Sequence, residues 1–293
     1  MGLGTHGRYN YEAIHGRPTY KWPNGTGLAV YIALNLEHFS FGEGLGAQLA
    51  PSGGIEPDVL NYAWRDYGNR VGVWRMLAEF DRLNLPVAVL VNSEIYDYCP
   101  EVMDAFRKRG DEVVGHGRTN SERQSSLTPA EEAALIADVT AAIEKYELRN
   151  PRGWLGPWIS ESFDTPELLK AANYDYVLDW CHDDQPTWLQ TSNGPLLSIP
   201  YPQEINDIPA ILVRKVGAAE FADMIIDQVQ EIMAQAEQQP LVAGIALHPY
   251  IVGQPFRLRH LRRALEYLAN LGNQIWLTHP GAIANYFRSI QTS

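Results

Sequence analysis

The chain has few cysteines, little basic charge and no long apolar run, and each shortage removes a class of function. Only Cys99 and Cys181 occur in 293 residues, far apart and outside any CxxC spacing. A disulfide framework or a zinc ribbon would need more. Lys and Arg number 23 against 35 Asp and Glu, for a formal net charge of −12. No basic face is left to neutralise phosphates, so neither nucleic acid nor an anionic membrane surface is an expected partner. The opening stretch Met1–Asn10 has neither the apolar core of a secretion signal nor the length to span a bilayer. The expectation is a cytoplasmic protein.

What is present is enough chain for one large core, and apolar runs that alternate with segments of helical period. Leu28–Leu36 reads as a first buried strand, Pro86–Val91 as another, and Val71–Leu83 as a helix between them. Thr128 and Glu131 form a capping box with Pro129 at the first helical position, opening a helix to about Tyr146. Short strands are expected at Gly153–Leu155, Tyr176–Asp179 and Leu196–Ile199, then a long helix from about Ala219 and strands at Val242–Leu247 and Gln274–Leu277. The pattern predicts one α/β domain over residues 1–293 with roughly seven or eight βα repeats, in line with the size of a barrel. Gly42–Asn69 has no clear period and reads as a functional loop.

In such barrels the reactive groups sit at the C-terminal ends of strands, where loops converge over a rigid mouth. The polar residues there are Asn35, Glu37 and His38; Asn92 and Glu94; His116 and Asn120; Asp179 to Asp184; Asn206 and Asp207; and His248. His116 lies between two glycines, and Asn120 follows four residues later where a second histidine would complete a metal pair. His6, His15, His260 and His279 fall in no constellation, and Glu131 and Glu132 are accounted for by helix capping.

Taken in order, Asn35-Leu-Glu-His38, Tyr67–Arg75, Gly115-His-Gly117, Gly153-Trp-Leu-Gly156, Asp183-Asp-Gln-Pro186, Ile199-Pro-Tyr201 with Asn206-Asp207, and Leu247–Pro255 resemble the polysaccharide deacetylase (NodB-homology) superfamily. The likeness spans most of the chain and is closest to the branch of metal-independent allantoinase and related cytosolic C–N hydrolases. The family resemblance implies an α/β fold, a distorted (β/α) barrel with about seven strands, and the branch implies a homo-oligomer, dimer or tetramer. In metal-dependent members an Asp-Asp pair supplies base and ligand, and a His-x-x-x-His pair completes the metal triad. Here Asn35 stands at the base position, Glu37 at the ligand position, and His116 and Asn120 at the histidine positions. An amide cannot take up a proton, and it is a weak zinc donor.

The resulting expectation is general acid–base hydrolysis of a small, cyclic amide of the ureide, imide or hydantoin type, without a cofactor. Glu37 and His248 are the candidate catalytic pair. Asn35, His116, Arg118, Asn120, Trp154, Trp180, Asp183 and Asp184 are candidate substrate contacts, the two tryptophans as flat faces and Arg118 for a carboxylate or imide oxygen. The Asp183-Asp184 pair also reads as a turn. Two alternatives stand beside this reading. One is a deacetylase of N-acetyl sugars using weakly held zinc or another divalent metal on Glu37, His116 and Asp184. The other is a catalytically inactive relative that only binds.

Overall fold

A run of nine residues interrupted by one polar side chain suits a strand buried on both faces, and Leu28–Leu36 is β1, every residue of it buried. Its side chains alternate between two cores. Leu28, Val30, Ile32, Leu34 and Leu36 face the surrounding helices, with Val89, Val91, Ile245 and Leu247. Ala29, Tyr31 and Ala33 face inward with Ala88, Leu90, Val114 and Ala246. By the same alternation Asn35 and Glu37 continue the inward row, at the strand's C-terminal end.

This computed structural model describes residues 5–43, 49–50 and 57–291. In chain order, β1 is followed by α1 (Val59–Tyr67), α2 (Val73–Leu83), β2 (Ala88–Val91), α3 (Ile95–Tyr98), α4 (Pro100–Arg109), β3 (Glu112–Gly115) and α5 (Pro129–Glu147). Then come β4 (Gly153–Trp154), α6 (Thr165–Ala171), β5 (Tyr176–Val177), β6 (Thr187–Leu189), β7 (Leu196–Ser198), α7 (Ala218–Gln235) and β8 (Leu241–Leu247). The chain closes with α8 (Pro249–Val252), α9 (Pro255–Leu271), β9 (Trp276–Thr278) and α10 (Pro280–Gln291).

The strands run in the order β6-β7-β5-β4-β3-β2-β1-β8. Neighbours are parallel except β6 and β7, which form an antiparallel pair. β9 pairs with the first half of β1 (Ala29↔Trp276 to Tyr31↔Thr278), below the stretch that pairs with β2 (Ala33↔Ala88 to Leu36↔Val91). The sheet curls into a distorted barrel whose last edge, β8, is joined by irregular chain. Asn206 bridges Ala246, the Ala246 amide donates to Ile205 O at 3.0 Å, and the Val242 amide donates to Asp184 O at 2.8 Å. Ile283, Ala284 and Phe287 of α10 join Trp22 in the inner core at the end opposite the strand C-termini.

The expected helices at Pro129 and Ala219 are α5, with its capping box, and α7. Three local expectations are corrected. The loop expected over Gly42–Asn69 contains α1, started by Asp58, whose side chain accepts from the Asn61 amide; residues 44–48 and 51–56 of that loop lie outside the described residues. The helix expected from Val71 begins at Val73, after a π turn at Gly68–Gly72. Glycine is required there because α8 lies against it, and a Cβ on Gly72 would fall 2.1 Å from the Pro249 carbonyl oxygen. The last strand is shifted to Trp276–Thr278 by a 3₁₀ turn at Gly272–Gln274. No described helix is long and apolar enough to cross a membrane.

Candidate active site

Glu37 stands one residue past β1, with a side chain only 7% exposed. Its Oε2 accepts from Arg65 Nη1 at 2.8 Å. Its Oε1 lies 3.4 Å from His248 Nε2 and 3.9 Å from His116 Nε2. Asn69, on the π turn, donates to its backbone carbonyl at 2.9 Å. Burial alone would raise the Glu37 pKa, but the charge and close approach of His248 and the nearby Arg65 together hold the carboxyl well below the usual range. Glu37 is a fixed anion.

His248 is delivered by β8 and turned inward by Pro249 at the start of α8. Asp207 grips it twice, taking the backbone amide on Oδ2 at 2.8 Å and ring Nδ1 on Oδ1 at 2.6 Å. Burial would lower the pKa of this imidazole, but the carboxylates of Asp207 and Glu37 outweigh it and push it up to about 9. At neutral pH His248 is therefore an imidazolium between two carboxylates.

His116 is held differently. Its Nδ1 lies 2.7 Å from the Leu155 carbonyl oxygen, which can only accept. Nδ1 therefore carries a proton, and Nε2 is buried with no hydrogen-bond partner among the described residues. Gly117, at φ +67°, makes the bend that follows, and a Cβ there would meet Pro157 Cγ at 2.5 Å.

The remaining strand-end groups hold this trio in place. Asn35 donates to Tyr201 Oη at 3.2 Å and to Leu247 O at 3.4 Å. Asn120 Oδ1 accepts from Asn92 at 3.0 Å, the Asn120 amide donates to His38 O at 2.9 Å, and Asn92 also reaches the His116 carbonyl. Arg65 is packed among aromatic rings, 4.0 Å from the centroid of Phe39, 4.9 Å from Tyr250 and 5.7 Å from Trp158.

Glu37, His248, His116 and Asn35 thus come together, with Asn120 just behind them. The other expected contacts are placed elsewhere. Trp154 is fully buried among helix-facing residues, its Nε1 donating to Gln124, so it offers no free face. Trp180 packs against His6, Tyr9 and His182 and donates to Glu161. Arg118 is held on the surface by Glu122 and Asp138. Asp183 makes a two-pronged ion pair with Arg17 and caps the Gln185 amide, which is the turn reading of that pair. Asp184 is exposed, and its backbone meets β8 at its N-terminal end, away from the strand C-termini.

Sequence reasoning gave no site role to Arg65, Asn69 or Asp207. Asp207 was visible as a strand-end carboxylate, and only its distance to His248 assigns it. Arg65 and Asn69 were hidden inside a segment without apparent period, although Asp58 preceding Val59-Leu60 was an available helix-start signal.

The donor set does not suit a divalent metal of the deacetylase kind. Asn120 spends its oxygen on Asn92, Asp184 is remote, and a guanidinium already sits on Glu37 Oε2. His248 Nδ1 is taken by Asp207. At the site, His116 has a ring nitrogen with no hydrogen-bond partner among the described residues. Among the described residues no group of three or more His, Cys, Asp or Glu is arranged to hold a metal ion.

No family model matches the chain. It is 25% identical over 289 residues to a Schizosaccharomyces pombe protein assigned to the polysaccharide deacetylases, covering 87% of this chain and 89% of that one. Among solved structures it is similar to a Pseudomonas aeruginosa PAO1 protein with the same assignment (TM-score 0.83, 24% identity, 95% and 98% of the two chains). It is also similar to PuuE allantoinase (TM-score 0.82, 23% identity, 97% and 100%).

Proposed function

We propose that this chain, which shares the fold of the polysaccharide deacetylase superfamily and resembles it in sequence, hydrolyses a non-peptide C–N bond in a small cyclic amide. The observation that carries the reading is the convergence on Glu37 Oε1 of a protonated His248 and of His116 Nε2, a ring nitrogen with no hydrogen-bond partner among the described residues. An amide needs water activated on one side and its departing nitrogen protonated on the other. We assign the first task to Glu37 with His116 Nε2 and the second to His248.

In this mechanism water is held by Glu37 Oε1 and His116 Nε2 and attacks the carbonyl carbon, passing a proton to that pair as the C–O bond forms. Arg65 stabilises the oxygen that gains charge. The C–N bond then breaks as His248 Nε2 gives its proton to the nitrogen, and Asp207 holds the ring in the required tautomer. Glu37 is too well stabilised in the empty site to be a strong base. Substrate that draws Arg65 or His248 away from it would raise its basicity at the moment of attack.

A second reading is favoured by the names of the relatives, which point to deacetylation of an N-acetyl sugar. It is the same bond class and could use the same residues. Assay of hydantoins, cyclic imides and cyclic ureides against N-acetyl hexosamines, each with and without chelator, decides between them. Chelator-resistant turnover of a cyclic amide supports the first reading. Chelator-sensitive release of acetate from the sugars supports the second, and no turnover of either class leaves a protein that only binds.

A further inference from the structure

Asn92 stands one residue past β2, wholly buried, where the C-terminal ends of β1, β2 and β3 lie side by side. It grips the chain on both sides of Glu37. Its backbone amide donates to Leu36 O at 3.1 Å, and its side-chain Oδ1 accepts from the His38 amide at 2.8 Å. On its other side, Nδ2 donates to the His116 carbonyl and, at 3.0 Å, to Asn120 Oδ1. One carboxamide therefore reaches the main chain next to Glu37 and the main chain of His116 itself.

The polarity of these neighbours admits little else. A backbone amide can only donate and a backbone carbonyl can only accept, so the position requires an acceptor facing His38 and a donor facing His116. An ionised Asp of the same shape would keep the first and lose the second, and Ala would lose both. Burial makes each group so left unmatched costly. Other cross-links between these strand ends are main-chain bonds, from the amides of Ser93 to Gly117 O at 3.0 Å, Glu94 to Arg118 O at 3.2 Å and Asn120 to His38 O at 2.9 Å. These do not use the Asn92 side chain and remain when it is replaced.

We propose that Asn92 is a positioning residue, which holds His116 at its working distance from Glu37 without touching substrate. Glu37 has further ties of its own, from Arg65 to its carboxylate and from Asn69 to its carbonyl. His116 is held through its amide by Val91 O at 3.1 Å, through Nδ1 by Leu155 O and through its carbonyl by Asn92. Without the Asn92 donor that carbonyl loses its link to the end of β1, and Nε2 no longer keeps its 3.9 Å separation from Glu37 Oε1. The inference rests on the pairing of Glu37 with His116 proposed above, but its test reads His116 without substrate, so either can fail alone.

The test compares ring N–H exchange with solvent in ¹⁵N-histidine-labelled wild type and Asn92→Asp, the NMR signals being assigned with His116→Gln and His248→Gln. In Asn92→Asp the Nδ1–H of His116 should exchange at least about tenfold faster, the scale of one lost hydrogen bond. The Nδ1–H of His248, held by Asp207, should keep its wild-type rate. An unchanged rate at His116 overturns the proposal, and so does equal acceleration at both rings, which is general loosening. Asn92→Ala gives the same comparison where the first variant does not fold, and failure of both to fold makes Asn92 a requirement of the fold and refutes the positioning role. On a cyclic amide that the wild type turns over, Asn92→Asp should lower kcat by about 10²-fold, the cost of a misplacement near 1 Å, with KM little changed. A raised KM at unchanged kcat contradicts the proposal, whereas absence of wild-type turnover bears on the functional reading and leaves the exchange result to decide this one.

Discussion

His116 and His248 address the same atom, Glu37 Oε1, at 3.9 and 3.4 Å. They differ in what each Nδ1 touches, a backbone carbonyl for His116 and a carboxylate for His248. The carboxylates of Asp207 and Glu37 push the His248 pKa up to about 9, while His116 Nε2 is left with no hydrogen-bond partner among the described residues.

Replacing His248 with Ala should lower turnover by about 10²–10⁴-fold, the scale of general acid catalysis. Asp207→Asn should fall in the same direction, because the ring loses the charge that keeps it protonated. Steady-state rates on the best substrate of the amide screen test both, with circular dichroism confirming the fold. Near-wild-type rates in both variants would remove His248 from the mechanism.

The alkaline side of the stability profile should carry the His248 signature. Its folded pKa of about 9 lies above the ordinary 6.5, so its contribution is full below about pH 6.5 and is lost as pH rises through 9. The expected loss is on the order of 3 kcal/mol. Glu161, raised to about 8 from 4.5, acts in the same direction at lower pH, its contribution fading from about pH 4.5 upward. Urea unfolding from pH 6 to 10, compared with His248→Gln, isolates the His248 part as a flatter profile in the variant.

Removing Arg65 strips Glu37 Oε2 of its partner where both side chains are buried. Arg65→Ala should cost about 3 kcal/mol of stability, the lower end for breaking a buried ion pair, since the two histidines still face the carboxylate. Arg65→Lys should recover part of the stability and little of the rate, because an ammonium keeps the charge but loses the planar stacking on Phe39 and Tyr250. Equal rates for Lys and Arg at this position would show that charge alone suffices.

Gly72→Ala places a methyl on the Pro249 carbonyl, next to His248. About 1–3 kcal/mol of destabilisation is expected from the overpacking, together with reduced turnover as α8 shifts. Full activity with lowered melting temperature would separate the π turn from the positioning of His248.

Much of the barrel could be read from the chain, because β1 and β8 are continuous apolar runs and α5 announces itself with a capping box. The candidate catalytic pair was legible for the same reason, since Glu37 and His248 follow those two strands directly. Arg65 was not, because it approaches from a helix whose start lies in a glycine- and proline-rich stretch and whose end merges into a π turn. Trp154 was misplaced because a strand of only two residues shows too little alternation to tell its inner face from its outer one. Asp183 read equally as site or turn, and the choice rested on Arg17, far off in sequence.

Asp207 and His248 lie on opposite sides of the join between the chain after β7 and the edge of β8, one residue beyond the Asn206–Ala246 bridge on one side and two on the other. A chain that has built every other strand but not zipped this edge would have a neutral, unheld imidazole. Turnover should therefore recover last in a refolding experiment, behind ellipticity and tryptophan fluorescence, and its lag would time the closing of the barrel.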